Sequence, residues 1–280
     1  MNLKKKLLKK IARILIKTRI CYFLTIRNGD FVLRFYPTSI SRQLWVGYHL
    51  GQESYRREET FFRRYLQHGD TVIDAGANVG VFTLMFSVLV GPKGRVYAVE
   101  PHPRICRYLR GNLALNRTGN VSVFNVALGE ANGEARLSDN SKSDDVNTVI
   151  ADTRGIQVPM RRLDDLGIAD KSISLLKIDV EGYEKYVIEG ARGILENVRC
   201  IYFEAIESNC AKFGYGLGEL IGKLEELGYC VFELCGDDVR EVKPGEVTAD
   251  YGDLVAVREP ANFLSRAGFR SKIVKAPNNF

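Results

Sequence analysis

The sequence predicts an α/β fold: a mostly parallel sheet with an antiparallel terminal strand and a small N-terminal appendage. Two observations predict it. From Thr71 onward, apolar runs of strand length alternate with segments whose apolar residues recur at helical spacing. The first of these strands, beginning TVIDAG, runs directly into a glycine-rich turn. Such alternation implies parallel strands joined by right-handed crossovers.

The composition agrees with a folded domain that needs no covalent cross-links. With 280 residues and 45% hydrophobic content, the chain can bury a substantial core. Its six cysteines contain no CxxC pair and no Cys/His spacing typical of a metal site. We therefore interpret them as reduced, packed thiols and expect a cytoplasmic protein.

The first nineteen residues hold much of the positive charge and predict a basic amphipathic helix. Leu3, Leu7, Ile11, Ile14 and Leu15 recur at helical spacing with Lys and Arg between them. The apolar runs are too short for a membrane span, and no cleavage site of a signal peptide follows. Three uses stay open: contact with an anionic membrane surface, packing on the core, or a solvated tail. A nucleic-acid partner is not expected, because stacking aromatics do not interleave with these charges.

The appendage is predicted to cover residues 1–68, followed by the main domain at 69–260 and a C-terminal tail at 261–280. Within it, YFLTIRNGDFVLRFY is typical of a hairpin with Asn28 and Gly29 at the turn. A helix with an apolar face follows and ends near Gly69.

In the main domain the predicted strands and helices alternate in chain order. They are TVIDAG (strand), VFTLMFSVLV (helix), RVYAVE (strand), PRICRYLRGNLALN (helix), VSVFNVAL (strand), SLLKIDV (strand), YEKYVIEGARGILE (helix), RCIYFEAI (strand) and a helix at ELIGKLEELG. A polar stretch at 133–166 lies between VSVFNVAL and SLLKIDV, and is either a mobile lid or a solvated connection. At the end, YCVFEL and DLVAVR are predicted to pair antiparallel.

The turn after the first strand predicts a nucleoside site. Ligands of such folds bind beyond the carboxyl ends of the strands. Gly76 and Gly80 remove side chains where the backbone turns, Asp74 supplies a carboxylate, and Glu100 ends the next strand, where it can bind both hydroxyls of a ribose. The dinucleotide pattern GxGxxG lacks its second glycine here, which argues against a pyrophosphate ligand.

At this point the sequence resembles the FkbM-type methyltransferases, which use S-adenosylmethionine on a Rossmann-like class I sheet. The motifs that carry the resemblance are VIDAGANVGVFTL, VYAVEPHP, NVALG, RRLDDL and LLKIDVEGYEKYVIEGARGIL. The resemblance implies a set of residues that bind the cofactor: Asp74, Gly76, Asn78, Gly80, Glu100, Pro101, Asn125 and Ala127. Family members are similar in methylating hydroxyls, often on sugars, glycolipids or polyketide products.

Acidic residues end the two strands that are expected to flank the cofactor. Asp179 and Glu181 follow one buried strand, and Glu204 ends the next, so these carboxylates are expected on one rim. Either they act as a general base, or they hold Mg²⁺, which would acidify an acceptor hydroxyl. Lys177 is the fourth candidate catalytic residue, with a structural ion pair to an acid such as Glu204 as the alternative.

One position departs from the family pattern. Members commonly have a histidine two residues after the acid equivalent to Glu204, where this chain has Ile206. The histidines that the chain does have, His49, His68 and His102, are expected on the surface or in packing.

These observations together predict an O-methyltransferase that acts on a hydroxyl of a sugar, glycolipid or secondary metabolite. The expected partners are this small-molecule or glycolipid acceptor and, through residues 1–19, possible peripheral contact with a membrane. Two alternatives stay open: a nicotinamide-dependent oxidoreductase and a non-catalytic, membrane-associated binding module.

Overall fold

The computed structural model describes residues 3–51, 56–139, 148–150, 155–247 and 250–269. Its strands are β1 (Thr25–Asn28), β2 (Phe31–Arg34), β3 (Thr71–Ala75), β4 (Arg95–Val99), β5 (Val121–Phe124), β6 (Ala127–Leu128), β7 (Gly133–Leu137), β8 (Ile156–Arg161), β9 (Ile173–Ile178), β10 (Val198–Ala205), β11 (Cys230–Cys235), β12 (Asp238–Glu241) and β13 (Gly252–Val257). Its α-helices are α1 (Leu3–Lys17), α2 (Ser39–Leu50), α3 (Arg56–Tyr65), α4 (Val81–Val90), α5 (Pro103–Leu115), α6 (Glu184–Glu189), α7 (Arg192–Leu195), α8 (Glu207–Ala211), α9 (Leu217–Glu226) and α10 (Pro260–Ala267).

Eight strands form the central sheet in the order β12-β11-β13-β10-β9-β3-β4-β5. Five adjacent strands of this sheet are parallel, as the alternation of strands and helices predicts: β10, β9, β3, β4 and β5. β13 lies antiparallel between β10 and β11, so the predicted antiparallel pair at the end of the chain is confirmed. The sheet therefore has the predicted architecture, mostly parallel and Rossmann-like.

One strand of this sheet was not predicted. The charged stretch after β11 contains β12, which pairs with β11 through a turn at Gly236 and Asp237. Its polar side chains hid the strand pattern, because an edge strand has to bury only one face.

Both faces of the sheet are covered, which is why its central strands are apolar throughout. Every residue of β3 and β9 is buried. On one face the strands pack against α3, α4, α5 and α10, together with buried residues of the N-terminal segment. On the other face they pack against α6, α7 and α9. The described residues between 3 and 68 thus share a hydrophobic cluster with the sheet, and the division of the chain into three segments stays a prediction.

The N-terminal segment differs from the prediction in two details. In the hairpin, Asn28 pairs with Phe31, so the turn residues are Gly29 and Asp30, one position later than expected. Helix α2 was not predicted at all. It begins where the Thr38 side chain accepts a hydrogen bond from the Ser41 amide at 3.0 Å, as an N-cap does.

The end of the chain also contains a helix where a tail was expected. In α10, Phe263 is buried and packs against Phe61 and Tyr65 of α3. Arg266 donates to the Tyr65 carbonyl at 2.8 Å and pairs with Asp70. The segment therefore closes one side of the core.

The polar stretch at 133–166 contributes β7 and β8 to a second, smaller sheet of order β6-β8-β7, whose first strand ends the segment predicted as VSVFNVAL. Its two long strands pair antiparallel, with Ala135 opposite Val158. Residues 140–147 and 151–154 lie outside the described residues, so the structure leaves the predicted lid untested.

Across the described ranges, the structure contains no helix that is both long and apolar enough to cross a membrane. All six cysteines are free, and four of them are buried.

Candidate active site

A cavity opens at the carboxyl ends of the parallel strands, where the sequence predicts the ligand. Its wall includes four groups of residues: the turn after β3 with the start of α4, the ends of β4 and β9, Glu204 on β10, and residues of α2 and of the small sheet. The residues are Ile40, Gln43, Gly76, Ala77, Asn78, Val81, Phe82, Val99, Glu100, Pro101, His102, Val126, Ala127, Leu128, Leu137, Thr148, Val149, Lys177, Asp179, Val180, Glu181, Tyr183 and Glu204.

The glycine-rich turn is fixed against the end of β9. Gly76 has a φ of +84°, and a Cβ there would lie 1.9 Å from the Asp179 carbonyl oxygen. No residue with a side chain fits that position without moving the backbone. Asn78 is also left-handed, with a φ of +49°, and its side chain accepts from the Val79 amide at 2.8 Å. The turn thus holds a strained but well-bonded shape at the edge of the cavity.

Glu100 joins this turn to the end of β4. One carboxylate oxygen accepts from the Asn78 amide at 2.9 Å and the other from the His102 amide at 2.8 Å. Burial raises the pKa of Glu100 to about 7, while these two amides act in the opposite direction. Each oxygen has lone pairs beyond its single amide, so the carboxylate can also accept from ligand hydroxyls.

Three of the predicted cofactor residues lie behind the cavity wall rather than on it. Asn125 donates from its amide to the carbonyls of Glu100 and Pro101, at 2.7 and 2.9 Å. Gly80, with a φ of +92°, packs against Leu109. Asp74 is fully buried and accepts from the Thr83 hydroxyl at 2.6 Å. The geometry gives these three residues a supporting position.

Lys177 is buried between two acids. Its Nζ lies 3.1 Å from Asp179 Oδ2 and 3.6 Å from Asp74 Oδ1, and it also faces the ring of Phe82. Burial opposes its charge, but Asp179 and Asp74 outweigh burial and raise the pKa of Lys177. Burial also opposes the charge of Asp74 and so raises its pKa, while the nearby Lys177 acts in the opposite direction.

The structural ion pair that was the alternative role of Lys177 is thus present, but its acids are Asp179 and Asp74 and not Glu204, the example named from the sequence. In the parallel ladder, Asp74 of β3 is the direct neighbour of Lys177, whereas its neighbour on β10 is Tyr202. The ammonium accordingly lies on the β3 side, where Asp74 is buried with it.

Three carboxylates converge at the other end of the cavity. One oxygen each from Asp179, Glu181 and Glu204 lies within 4.8 Å of the other two. Burial, with Asp179 and Glu181 nearby, raises the pKa of Glu204 to about 8. Such a cluster can share a proton, or it can hold a divalent cation through its oxygens.

The backbone at this cluster is held in an unusual turn. Glu181 has a φ of +59° and Gly182 a φ of +100°, so two consecutive residues are left-handed. Buried Glu184 stabilises the turn by accepting from the Val180 and Gly182 amides, both at 3.1 Å. Of the three acids in this cluster, Glu181 is the one held in a left-handed conformation, which fixes where its carboxylate points.

Several residues of the site were missed by the sequence analysis. Asn209 donates to Glu204 Oε2 at 2.9 Å, and Thr148 contacts the carbonyls of Val180 and Glu181 through its hydroxyl. Gln43 reaches the wall from α2, which no pattern predicted. His102 was expected in packing or on the surface; it is buried, caps α5 and lines the cavity. The signal in the sequence that could have placed His102 at the cavity is its position two residues after Glu100.

Comparison with known proteins identifies the family. Residues 74–231 match the family described as the methyltransferase FkbM domain. The chain is similar to Methyltransferase 1 of Beauveria bassiana, with 31% identity over 42% of this chain and 57% of that protein. It is also similar to the 31-O-demethyl-FK506 methyltransferase FkbM of Streptomyces tacrolimicus, with 29% identity over 65% of this chain and 83% of that protein. A third relative, the 2-O-methyltransferase NoeI of Sinorhizobium fredii, is 30% identical over 48% of this chain and 62% of that protein.

The matches to Methyltransferase 1 and to NoeI span 57% and 62% of those relatives' lengths. The family match, in contrast, covers more than half of this chain, from Asp74 at the end of β3 to Val231 in β11. It includes the glycine-rich turn, Glu100 and all three converging carboxylates. The chain therefore belongs to the FkbM methyltransferase family.

Proposed function

We propose that the protein transfers a methyl group from S-adenosylmethionine to a hydroxyl of a sugar, glycolipid or secondary metabolite. The observation that carries the proposal is one cavity with two chemically different ends. Glu100 and the glycine-rich turn form one end, and Asp179, Glu181 and Glu204 form the other. The printed names of two relatives, which describe O-methyltransferases, support this reaction type.

Glu100 and the turn would hold the cofactor. Glu100 accepts hydrogen bonds from both ribose hydroxyls, while Pro101 and Ala127 provide apolar wall beside the base. Gly76 and Asn78 keep the backbone close to the ligand, and Asp74, Gly80 and Asn125 fix the turn from behind. S-adenosylmethionine supplies, when bound, an activated methyl group on its sulfonium.

The carboxylate end would bind the acceptor and take its proton. As the acceptor oxygen bonds to the methyl carbon, the carbon–sulfur bond of the donor would break and S-adenosylhomocysteine would leave. The acceptor oxygen would lose its proton, and Glu204 is placed to accept it. Asn209 orients Glu204 through their 2.9 Å hydrogen bond. Lys177 acts as a positioning residue, because it holds Asp179 beside this pair. The rest of the rate would come from alignment of the acceptor oxygen.

A divalent cation is the second way in which these three carboxylates could act. Asp179, Glu181 and Glu204 offer the oxygen ligands that Mg²⁺ prefers, and a bound cation would lower the pKa of an acceptor hydroxyl. Lys177 already neutralises part of the charge of Asp179, which favours the proton-sharing role over the cation.

Calorimetric titration tests the cofactor directly. The purified protein is titrated with S-adenosylhomocysteine and, separately, with NAD. We expect binding of the first alone. Binding of NAD instead would favour the oxidoreductase alternative, and binding of neither would favour a non-catalytic module.

An acceptor screen with a labelled methyl donor then tests the reaction. Sugars, glycolipids and hydroxylated polyketides are compared, each with Mg²⁺ and with a chelator. Label in a product, unchanged by the chelator, would support Glu204 as the base. If the chelator abolishes labelling and Mg²⁺ restores it, a cation held by the three carboxylates, and not Glu204 as a base, would activate the acceptor hydroxyl.

A further inference from the structure

The exposed apolar side chains of this protein are concentrated in one place. Among the described residues, eight large hydrophobic side chains are exposed, and six of them lie between positions 3 and 23. The six are Leu3, Leu7, Ile11, Ile14, Ile20 and Phe23. Single exposed apolar residues are normal on a soluble surface, but a concentration of this kind marks a contact site.

Helix α1 already has a partner on its other face. Leu8 and Ala12 are buried in the core cluster, and Leu15 and Ile16 pack against it. The helix lies against α2. The exposed residues are spaced four, four and three positions apart, so they form a separate stripe along the helix. This stripe is therefore not the face with which α1 packs on its own fold.

The charges around the stripe are of one sign. The first 29 residues contain nine Lys or Arg and no Asp or Glu, whereas the rest of the chain has 31 basic and 34 acidic residues. Lys10 and Lys17 are exposed and lie beside the stripe on the helical wheel. The protein's excess positive charge is thus placed at its exposed apolar surface.

We propose that α1 and the turn at Ile20–Phe23 form a docking surface for an anionic lipid bilayer. Apolar side chains on such a helix enter the boundary between headgroups and acyl chains, while Lys and Arg attract anionic lipids. Phe23, which is 85% exposed, adds an aromatic side chain suited to that boundary. A second copy of the same surface is disfavoured, because it would bring the two sets of cations together.

Helix α2 connects this surface to the cavity. Its body packs against α1, and its first turns contribute Ile40 and Gln43 to the cavity wall. Docking through α1 would hold this side of the cavity near the bilayer, which suits an acceptor carried by a lipid. That last step rests on the proposed function; the docking itself does not.

Vesicle sedimentation tests the docking without any turnover. The full chain is mixed with vesicles of pure phosphatidylcholine, or of phosphatidylcholine with one quarter phosphatidylglycerol. We expect sedimentation with the anionic vesicles only, and its reversal by added salt. A chain that stays in solution with both would overturn the proposal, whatever the outcome of cofactor titration.

Two sets of variants separate the apolar and the charged contributions. The double variant Lys10→Gln, Lys17→Gln should bind the anionic vesicles about 30-fold more weakly, since each cation near an anionic surface adds to the free energy of binding. The matched control, Lys93→Gln with Lys171→Gln, removes two exposed lysines elsewhere and should leave binding unchanged. Equal loss in both would mean that net charge alone, and not this surface, attracts the vesicles.

The apolar stripe is tested with Leu3→Gln, Leu7→Gln and Ile14→Gln together. Since these side chains are exposed, the melting temperature should stay within a few degrees of wild type, and vesicle binding should be lost. Val88→Gln, at an exposed apolar position of α4, is the control. The proposal is overturned if the triple variant binds vesicles as well as wild type does. If, in addition, wild type is a dimer in sedimentation equilibrium and the triple variant is a monomer, the stripe contacts a second copy of the chain and not a bilayer.

Discussion

The two ends of the cavity each present a carboxylate in different surroundings: Glu100 is buried, whereas Glu204 is half-buried. Glu100 receives a backbone amide on each oxygen, whereas Glu204 receives one side-chain amide and lies beside two further carboxylates. Burial raises both pKa values, to about 7 and about 8. Backbone amides fix a carboxylate in place for binding, while neighbouring acids favour its taking up a proton or a cation. The comparison predicts a separation between binding and turnover.

The largest effect should come from the carboxylate end. Glu204→Gln keeps the shape of the side chain but removes its ability to accept a proton. We expect turnover to fall about 1,000-fold, within the range of a lost general base, with affinity for S-adenosylhomocysteine within twofold of wild type. Steady-state kinetics and calorimetry measure the two quantities.

Glu226→Gln, on an exposed position of α9, is the control for this change. Turnover of Glu204→Gln within threefold of wild type would show that Glu204 is not the base. Loss of cofactor affinity together with turnover would show that the two ends do not act separately.

The second effect concerns Lys177, which links the two ends. Lys177→Met leaves Asp74 and Asp179 without their shared cation, and Asp74 is fully buried. Removing one member of a buried ion pair typically costs about 3 kcal/mol or more, and we expect that decrease in the free energy of unfolding. Urea denaturation measures it.

Asp74→Asn combined with Lys177→Met should recover part of this loss, because it removes the buried charge that has no partner. Thr83 can still donate to the amide oxygen at position 74. A double variant no more stable than Lys177→Met alone would mean that Lys177 contributes through packing against Phe82 and not through charge.

The third effect belongs to the cofactor end. Glu100→Ala removes the acceptor of the Asn78 and His102 amides and the expected acceptor of the ribose hydroxyls. We expect about 30-fold weaker binding of S-adenosylhomocysteine in calorimetry. At saturating cofactor, turnover should fall by less than tenfold. A larger loss of turnover than of affinity would contradict the separation between the two ends.

The sequence placed residues at both ends of the cavity: five of the predicted cofactor residues line it, and the three acids expected on one rim converge. Gly76, Asn78, Glu100 and Ala127 follow consecutive strands, so one local alternation placed them around a common cavity. Their spacing is also recognisable in the sequence. A tight turn favours glycine, and an acid at the end of the next strand is the residue expected to bind ribose hydroxyls.

The residues that the sequence did not predict reach the site from distant or unpatterned segments. Gln43 comes from α2, and Asn209 follows β10 in a five-residue helix, so neither was visible as a motif. The partner of Lys177 was missed because the register of β3 against β9 decides which acid lies beside it. The alternation of strands and helices was predictable here, whereas register and loop placement depend on packing across the whole fold.

The smallest expected effect concerns Glu184, and measuring it tests whether burial is enough to raise the pKa of a carboxylate that accepts from backbone amides. Glu184 is a buried carboxylate, as Asp74 and Glu100 are; two backbone amides donate to it, and burial raises its pKa to about 7. Because its folded pKa lies above the usual value of about 4.5, the folded protein binds more protons between these two pH values. Its contribution to stability is therefore complete below about pH 4.5 and decreases as the pH rises through 7.

Glu184→Gln cannot titrate, and its side chain can still accept from the amides of Val180 and Gly182. The stability of wild type relative to this variant should thus fall by on the order of 1 kcal/mol between pH 5 and pH 8 in urea denaturation. Glu226→Gln, an exposed change, should show no such trend. A difference that stays constant with pH would mean that the two backbone amides cancel the effect of burial at Glu184. The same cancellation would then be expected at Glu100, whereas at Glu204 burial and the neighbouring Asp179 and Glu181 act together to raise the pKa.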